Sequence, residues 1–284
     1  MEQDRQLVVK SNHIIEASYR LSVAEQRVIL SAITQVRRDQ PKVTDAVLYS
    51  VTAAELAELC GTDPKTAYRD LQNAAERLQT RRVTLILEPD GVTIRTKRRR
   101  VTCWVQSVDY IDQEGRIELR FGKDILPYLT GLQREFTRYA LSDVAKMTSA
   151  HGIRLYELLV QWPEGHRVVE LDDLRRWLQL EDRYPSIKDF KRWVLDPAVQ
   201  QINEHSPLML TWSQRKTGRK VTHLVFDYAP KKKPAKAVGK APGGAQAKRK
   251  GGKLAKEEVE RLARPGESWE AAYARLNQIQ LELS

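Results

Sequence analysis

One order of elements occurs twice along this chain, and it restricts the fold more than composition does. The order is a short helix, a tight turn, a second helix with a polar outer face, and a β-hairpin. The first copy opens at Thr52-Ala-Ala-Glu55, a capping box. In such a box the threonine oxygen accepts the N3 amide while the glutamate reaches back to the threonine amide. The short helix carries Leu56 and Leu59, and Gly61 ends it. Asp63 then caps a second helix with Pro64 at its first position. That helix is predicted to bury Leu71, Ala74, Ala75 and Leu78 and to turn Lys65, Thr66, Arg69, Gln72, Asn73 and Arg77 outward. Two β-rich runs, 83–87 and 92–95, join around Pro89-Asp90-Gly91, a hairpin signal, and strand-like sequence continues through 101–108 and 116–121.

The second copy follows a predicted long helix over 141–162, which carries Ile153, Tyr156, Leu159 and Val160 on one side. After a short strand at 167–170, Asp172 is expected to cap a helix bearing Leu174, Trp177 and Leu178. Residues 181–185 read as a turn. Ser186 with Asp189 reads as a box-like cap for a helix through Phe190, Val194 and Ile202. Pro197 either kinks that helix or starts a new one. The row Phe190, Val194, Ala198 and Ile202 stays in phase, which favours a kink. Leu208, Leu210 and Trp212, then Leu224, Phe226 and Tyr228, alternate as strands around the basic tip Lys216-Thr-Gly-Arg-Lys220. Ahead of both copies, Ser22-Val-Ala-Glu25 is a further capping box, with Val28, Ile29, Ile33 and Val36 as a helical stripe.

A helix-turn-helix backed by a hairpin is a winged helix, and two on one chain give two DNA-reading heads. The expected class is therefore α+β, with tandem winged-helix domains over residues 1–130 and 131–230. A disordered basic linker, 231–253, and a short helical tail, 254–284, follow.

The net charge of +11 is unevenly placed. Residues 231–253 hold eight Lys and one Arg with no acid, and residues 254–284 hold four basic and six acidic residues. Residues 1–230 are left with 35 basic against 31 acidic residues, so a nucleic-acid surface there has to come from clustering. The clusters are Arg37-Arg38, Arg81-Arg82, Lys97 to Arg100, Arg175-Arg176, Lys188 with Lys191-Arg192, and Arg215-Lys216 with Arg219-Lys220. The two cysteines, Cys60 and Cys103, exclude a disulfide scaffold and fit a reducing cytoplasm. No apolar run approaches the ~18 residues of a membrane span, and the N-terminus has no signal-like apolar core.

Several separated runs resemble the iteron-binding plasmid replication initiators. They are Val8-Val-Lys-Ser-Asn-His-Ile-Ile-Glu-Ala-Ser-Tyr-Arg-Leu-Ser-Val-Ala-Glu-Gln-Arg27, Phe136-Thr-Arg-Tyr-Ala-Leu-Ser-Asp-Val144, Ile153-Arg-Leu-Tyr-Glu-Leu-Leu159, Asp189-Phe-Lys-Arg-Trp-Val-Leu-Asp-Pro-Ala198 and Lys216-Thr-Gly-Arg-Lys-Val-Thr-His-Leu-Val-Phe226. The resemblance spans roughly residues 7–228. It implies binding to repeated origin sites as a monomer, opening of adjacent AT-rich DNA with host replication proteins such as initiator and helicase, and repression of the protein's own gene as a homodimer. The first domain is then the dimerisation element and a backbone contact. A transcriptional repressor without initiator activity is the competing reading.

The expected DNA contacts follow from helix-turn-helix geometry, in which the N-terminal half of the second helix enters the major groove. In the second head these are Ser186, Lys188, Lys191 and Arg192, with Asp189 near DNA; for Trp193, core packing is favoured over reach to DNA. The wing contributes Arg215, Lys216, Arg219 and Lys220. The first head offers Lys65, Thr66, Arg69 and Asn73, and the run Lys97, Arg98, Arg99, Arg100 suits phosphates. The competing readings are a solvated basic helix face, a charged hairpin tip that avoids aggregation for the wing, and an exposed strand edge for 97–100. His13, His151, His166, His205 and His223 are not paired at i,i+2 or i,i+4, so the His pair of a rolling-circle nickase is missing. There is no P-loop sequence either. No enzyme, metal or cofactor is expected. The last residues, Gln280-Leu-Glu-Leu-Ser284, resemble a sliding-clamp docking peptide. Leu276, Ile279 and Leu283 equally fit the apolar face of a packing helix.

Overall fold

The computed structural model describes residues 6–36, 44–88, 96–130, 132 and 135–231, which belong to one compact unit. Arg37-Arg38, the 89–91 turn, the strand expected at 92–95, the linker beyond Lys231 and the helical tail lie outside the described residues.

The chain opens with β1 (Leu7–Ser11), α1 (Asn12–Ile15), β2 (Ser18–Tyr19) and α2 (Val23–Thr34). The first repeat is β3 (Tyr49–Thr52), α3 (Ala53–Cys60), α4 (Pro64–Leu78), β4 (Arg82–Leu87) and β5 (Arg98–Cys103). Next come β6 (Val105–Ile111), β7 (Arg116–Phe121), β8 (Phe136–Ala140), α5 (Ser142–Ala145) and α6 (Ala150–Val160). The second repeat is β9 (His166–Glu170), α7 (Leu171–Trp177), α8 (Ile187–Phe190), α9 (Asp196–His205), β10 (Leu208–Thr217) and β11 (Lys220–Pro230). The strands form four small antiparallel sheets, ordered β1-β8, β2-β4-β5, β3-β7-β6 and β10-β11-β9. Among the described residues no helix is long and apolar enough to cross a membrane.

Local sequence accounts for the helix starts. Ser22 and Glu25 form the reciprocal box at 2.7 and 3.2 Å, and Thr52 and Glu55 do so at 3.1 Å in both directions. Gly61 closes α3 at φ +66°, and Asp63 accepts the amides of Lys65 and Thr66 at 3.0 and 3.2 Å. Gly61 and Asp63 build the turn of the first helix-turn-helix. The predicted stripe of α4 is buried, and Ala67 joins it.

The second half departs from expectation in four places. The helix expected over 141–162 is two helices. The amide of Thr148 is taken by the Gln201 side chain at 2.6 Å, and Ser149 caps α6 through the Gly152 amide at 3.1 Å. Arg27 closes the end of α5 by donating to the carbonyls of Ala145 and Met147 at 3.0 and 3.2 Å. Asp172 is not the cap of α7: Glu170 holds that place, and Asp172 sits in the first turn, where its charge suits the helix dipole. Ser186 caps α8 through the Lys188 amide at 3.2 Å rather than through that of Asp189. Pro197 neither stops the helix nor restarts it. A π-helical turn over Lys191–Leu195 carries the chain from α8 into α9, with the Asp196 amide reaching the Lys191 carbonyl five residues back. The wider turn absorbs the donor and the space that proline removes.

A division at residue 130 runs between β1 and its hydrogen-bonded partner β8. The two halves meet on α6, which is buried on all sides from Gly152 to Leu159, Arg154 and Glu157 included. Glu157 pairs there with Lys10 of β1 and, at 3.1 Å, with Arg154, and it accepts the Tyr139 hydroxyl at 2.6 Å. Arg154 stacks 3.7 Å over the Tyr19 ring and donates to the carbonyls of Ile15 and Ala17 at 2.8 and 3.1 Å. Burial alone would raise the Glu157 carboxyl, but Lys10 and Arg154 hold it below its ordinary value.

Candidate nucleic-acid interface

The second reading helix is built by the α8–α9 run. Phe190, Val194, Ala198 and Ile202 fill the core, and the opposite face carries exposed Ser186, Lys188, Asp189, Arg192, Trp193 and Asp196. Lys191 is half-buried, with its ammonium 5.3 Å from the centre of the Trp212 ring on β10, which ties the helix to the wing. The Arg192 guanidinium lies 4.9 Å over the Trp193 ring. Trp193 corrects the expectation: it is 56% exposed and lies outside the core. The π-turn explains this, because fewer degrees per residue swing Trp193 out of the buried row that Phe190 starts.

The wing is β10–β11. Thr217 pairs with Lys220 across a two-residue turn in which Gly218 has φ +60°, and the register shifts between Arg215 and Lys216. Arg215, Lys216, Arg219 and Lys220 are all exposed. None of these four, nor Lys188, Lys191 or Arg192, forms an ion pair with a described acid. Helix and tip therefore present seven cations without an acidic partner among the described residues, next to Asp189 and Asp196.

The first head is weaker. Lys65, Arg69 and Asn73 are exposed along α4, and Thr66 is half-buried. In the run at the start of β5, Lys97 pairs with Glu88 at 2.6 Å and Arg100 with Asp124 at 3.2 Å, which leaves Arg98 and Arg99 exposed without such partners. In two other clusters one arginine is structural rather than superficial. Arg81 forms a two-pronged pair with buried Glu25, as close as 2.7 Å. Arg175 is buried and donates to the carbonyls of Arg183 and Tyr184 at 2.8 and 2.7 Å, so it holds the turn between α7 and α8. Sequence reasoning also missed the buried charges at Lys10, Arg154 and Glu157, since nothing in their spacing signals burial.

Two helix-turn-helix units, each with a hairpin, and a basic reading helix beside a basic wing define a tandem winged-helix DNA-binding protein. Residues 7–160 match the family described as Initiator Replication protein, WH1, and residues 170–228 match Initiator Rep protein, WH2. The chain belongs to this initiator replication protein family. It is 28% identical over 224 residues to an uncharacterized 27.6 kDa protein of Escherichia coli, covering 75% of this chain and 91% of that one. It is 27% identical over 228 residues to a replication initiation protein of Escherichia coli, covering 78% and 68%. Its fold is similar to the crystal structure of Pi initiator protein in complex with iteron DNA, with a TM-score of 0.67 and 21% identity over 81% of this chain and all of that one.

Proposed function

We infer that this protein is a plasmid replication initiator that recognises iterons in duplex DNA. In this reading Lys188, Lys191 and Arg192 meet the major groove, and Arg215, Lys216, Arg219 and Lys220 hold phosphates from the wing. Lys65, Thr66, Arg69 and Asn73 of α4, with Arg98 and Arg99, add backbone contacts. Lys97 and Arg100 join them by exchanging exposed carboxylate partners for phosphates, a small loss since such surface pairs contribute only about 0–1 kcal/mol. The observation that carries the reading is the cationic helix and wing, unpaired among the described residues, on a chain of the initiator family. The structural similarity to an initiator bound to iteron DNA supports it.

As a monomer the protein opens the origin with host replication proteins, and as a homodimer it represses its own gene, acting in the cytoplasm. It carries no catalytic role and needs no cofactor. The dimer forms through the first head, where β5 and β6 are sheet edges bearing Val101 and Tyr110 at 50% and 44% exposure. Footprinting on the DNA upstream of its gene, followed by an origin-opening assay, tests the reading. Protected tandem repeats with opening support an initiator, and protection without opening leaves a repressor. The tail motif is tested by deleting residues 277–284: unchanged capture of the sliding clamp removes it as a docking peptide.

A further inference from the structure

A cleft of about 310 Å³ is lined by none of the residues assigned above to the reading helix or the wing. The β2–α2 turn (Tyr19, Arg20, Ser22), Arg81, the first turn of α6 (Ala150, His151) and Arg154 line it. Its charges do not cancel. Arg81 is matched by Glu25, but Arg154 has to share the single carboxylate of Glu157 with Lys10, which lies outside the cleft lining. Arg20 is exposed on the rim and forms no ion pair with a described acid, and neither does Arg183 on the α7–α8 turn, which carries Glu181 and Asp182 facing solvent. Arg154 is 2% exposed and keeps a buried Nε–H with no acceptor. His151 sits among these groups. Burial, then Arg20, Arg154 and Arg183, lower its imidazole from 6.5 to about 4, so the ring is neutral near pH 7 and donates from one nitrogen only.

We propose that this cleft is a phosphate-binding site, in which Arg20, His151 and the first turn of α6 hold the anion and Arg154 supplies positive charge beneath it. The same chemistry fits two sources, a small phosphate-bearing ligand or a backbone phosphate of bound duplex DNA. The arrangement uses three general features of phosphate recognition: a guanidinium at the rim, a neutral N–H donor, and the positive end of an eleven-residue helix.

The test is histidine-selective NMR on the full chain, with the His151 resonance assigned from His151→Gln. Inorganic phosphate is titrated at constant ionic strength against sodium chloride, and a random-sequence duplex is titrated separately. Phosphate is expected to move the His151 resonance saturably and to raise its titration midpoint from about 4 towards 6.5. Arg20→Gln should weaken the response about tenfold, as for loss of one charge-assisted hydrogen bond. Arg183→Gln serves as a second exposed variant if Arg20→Gln is poorly folded. A response to phosphate but not to duplex identifies a small ligand, and a response to duplex that Arg20→Gln weakens identifies a backbone phosphate. No response to either probe, or one that survives both substitutions, overturns the proposal.

Discussion

Glu157→Gln tests whether the buried ionic cluster holds the two heads together. Glu157 is 1% exposed and takes its partners from four parts of the chain: Lys10 on β1, Tyr19 on β2, Tyr139 on β8 and Arg154 on its own helix. The neutral amide leaves Lys10 and Arg154, both 2% exposed, as two like charges without a counterion. Removing one partner of a buried pair costs about 3–5 kcal/mol, a large share of the roughly 5–15 kcal/mol that holds a domain folded. With a urea dependence of about 2–3 kcal/mol/M, the unfolding midpoint should fall by about 1–2.5 M. Lys10→Met in the Glu157→Gln background removes one orphaned cation and should recover part of that loss, which a double-mutant cycle measures. The pH dependence has a definite sign. The folded Glu157 pKa lies below its ordinary 4.5, so its contribution is present above that value and is lost as pH falls through the folded pKa. The variant should lack that component of acid sensitivity. A midpoint shift under about 0.3 M at unchanged slope would refute the reasoning, because a dry, uncompensated pair of cations cannot cost so little.

Other outcomes follow from the interface. Arg192→Ala should weaken binding to the protein's own repeats by ~1–3 kcal/mol and to random duplex by less; equal losses in a competition assay would make it a phosphate contact. Lys216→Ala should weaken both about equally and lower the salt slope of log K by about 1. Trp193→Ala should change folding stability by no more than about 0.5 kcal/mol, because the side chain is mostly exposed, yet reduce affinity for the repeats; a large drop in the thermal midpoint would return Trp193 to the core. Val101→Glu on the β5 edge should shift the full chain towards monomer in sedimentation while leaving its DNA-reading helix intact.

The first helix-turn-helix was readable residue by residue because its signals are local. The Ser22, Thr52 and Asp63 caps each act across two or three residues, and Gly61 ends its helix by its own φ. The wing was readable for the same reason, since Leu224, Phe226 and Tyr228 alternate as the pleat requires. The reading helix was half readable. Its buried row kept helical phase, but Trp193 sits three residues after Phe190 and ordinary helical spacing puts it near the core. The π-turn over Lys191–Leu195 moved it to the surface.

Sequence alone determined the two helix-turn-helix units, the closing hairpin and the basic character of the second helix and wing, because each rests on neighbours along the chain. Tertiary structure decided what those neighbours cannot. It broke the helix expected over 141–162 through Arg27 and Gln201, which reach its backbone from 118 and 53 residues away in sequence. It drew β8 back to β1, took Arg81 and Arg175 out of the DNA-facing inventory, and buried Lys10, Arg154 and Glu157 together. A charged residue reads as surface until the partner that neutralises it is known, and here those partners come from distant segments that only the folded chain brings within hydrogen-bond reach.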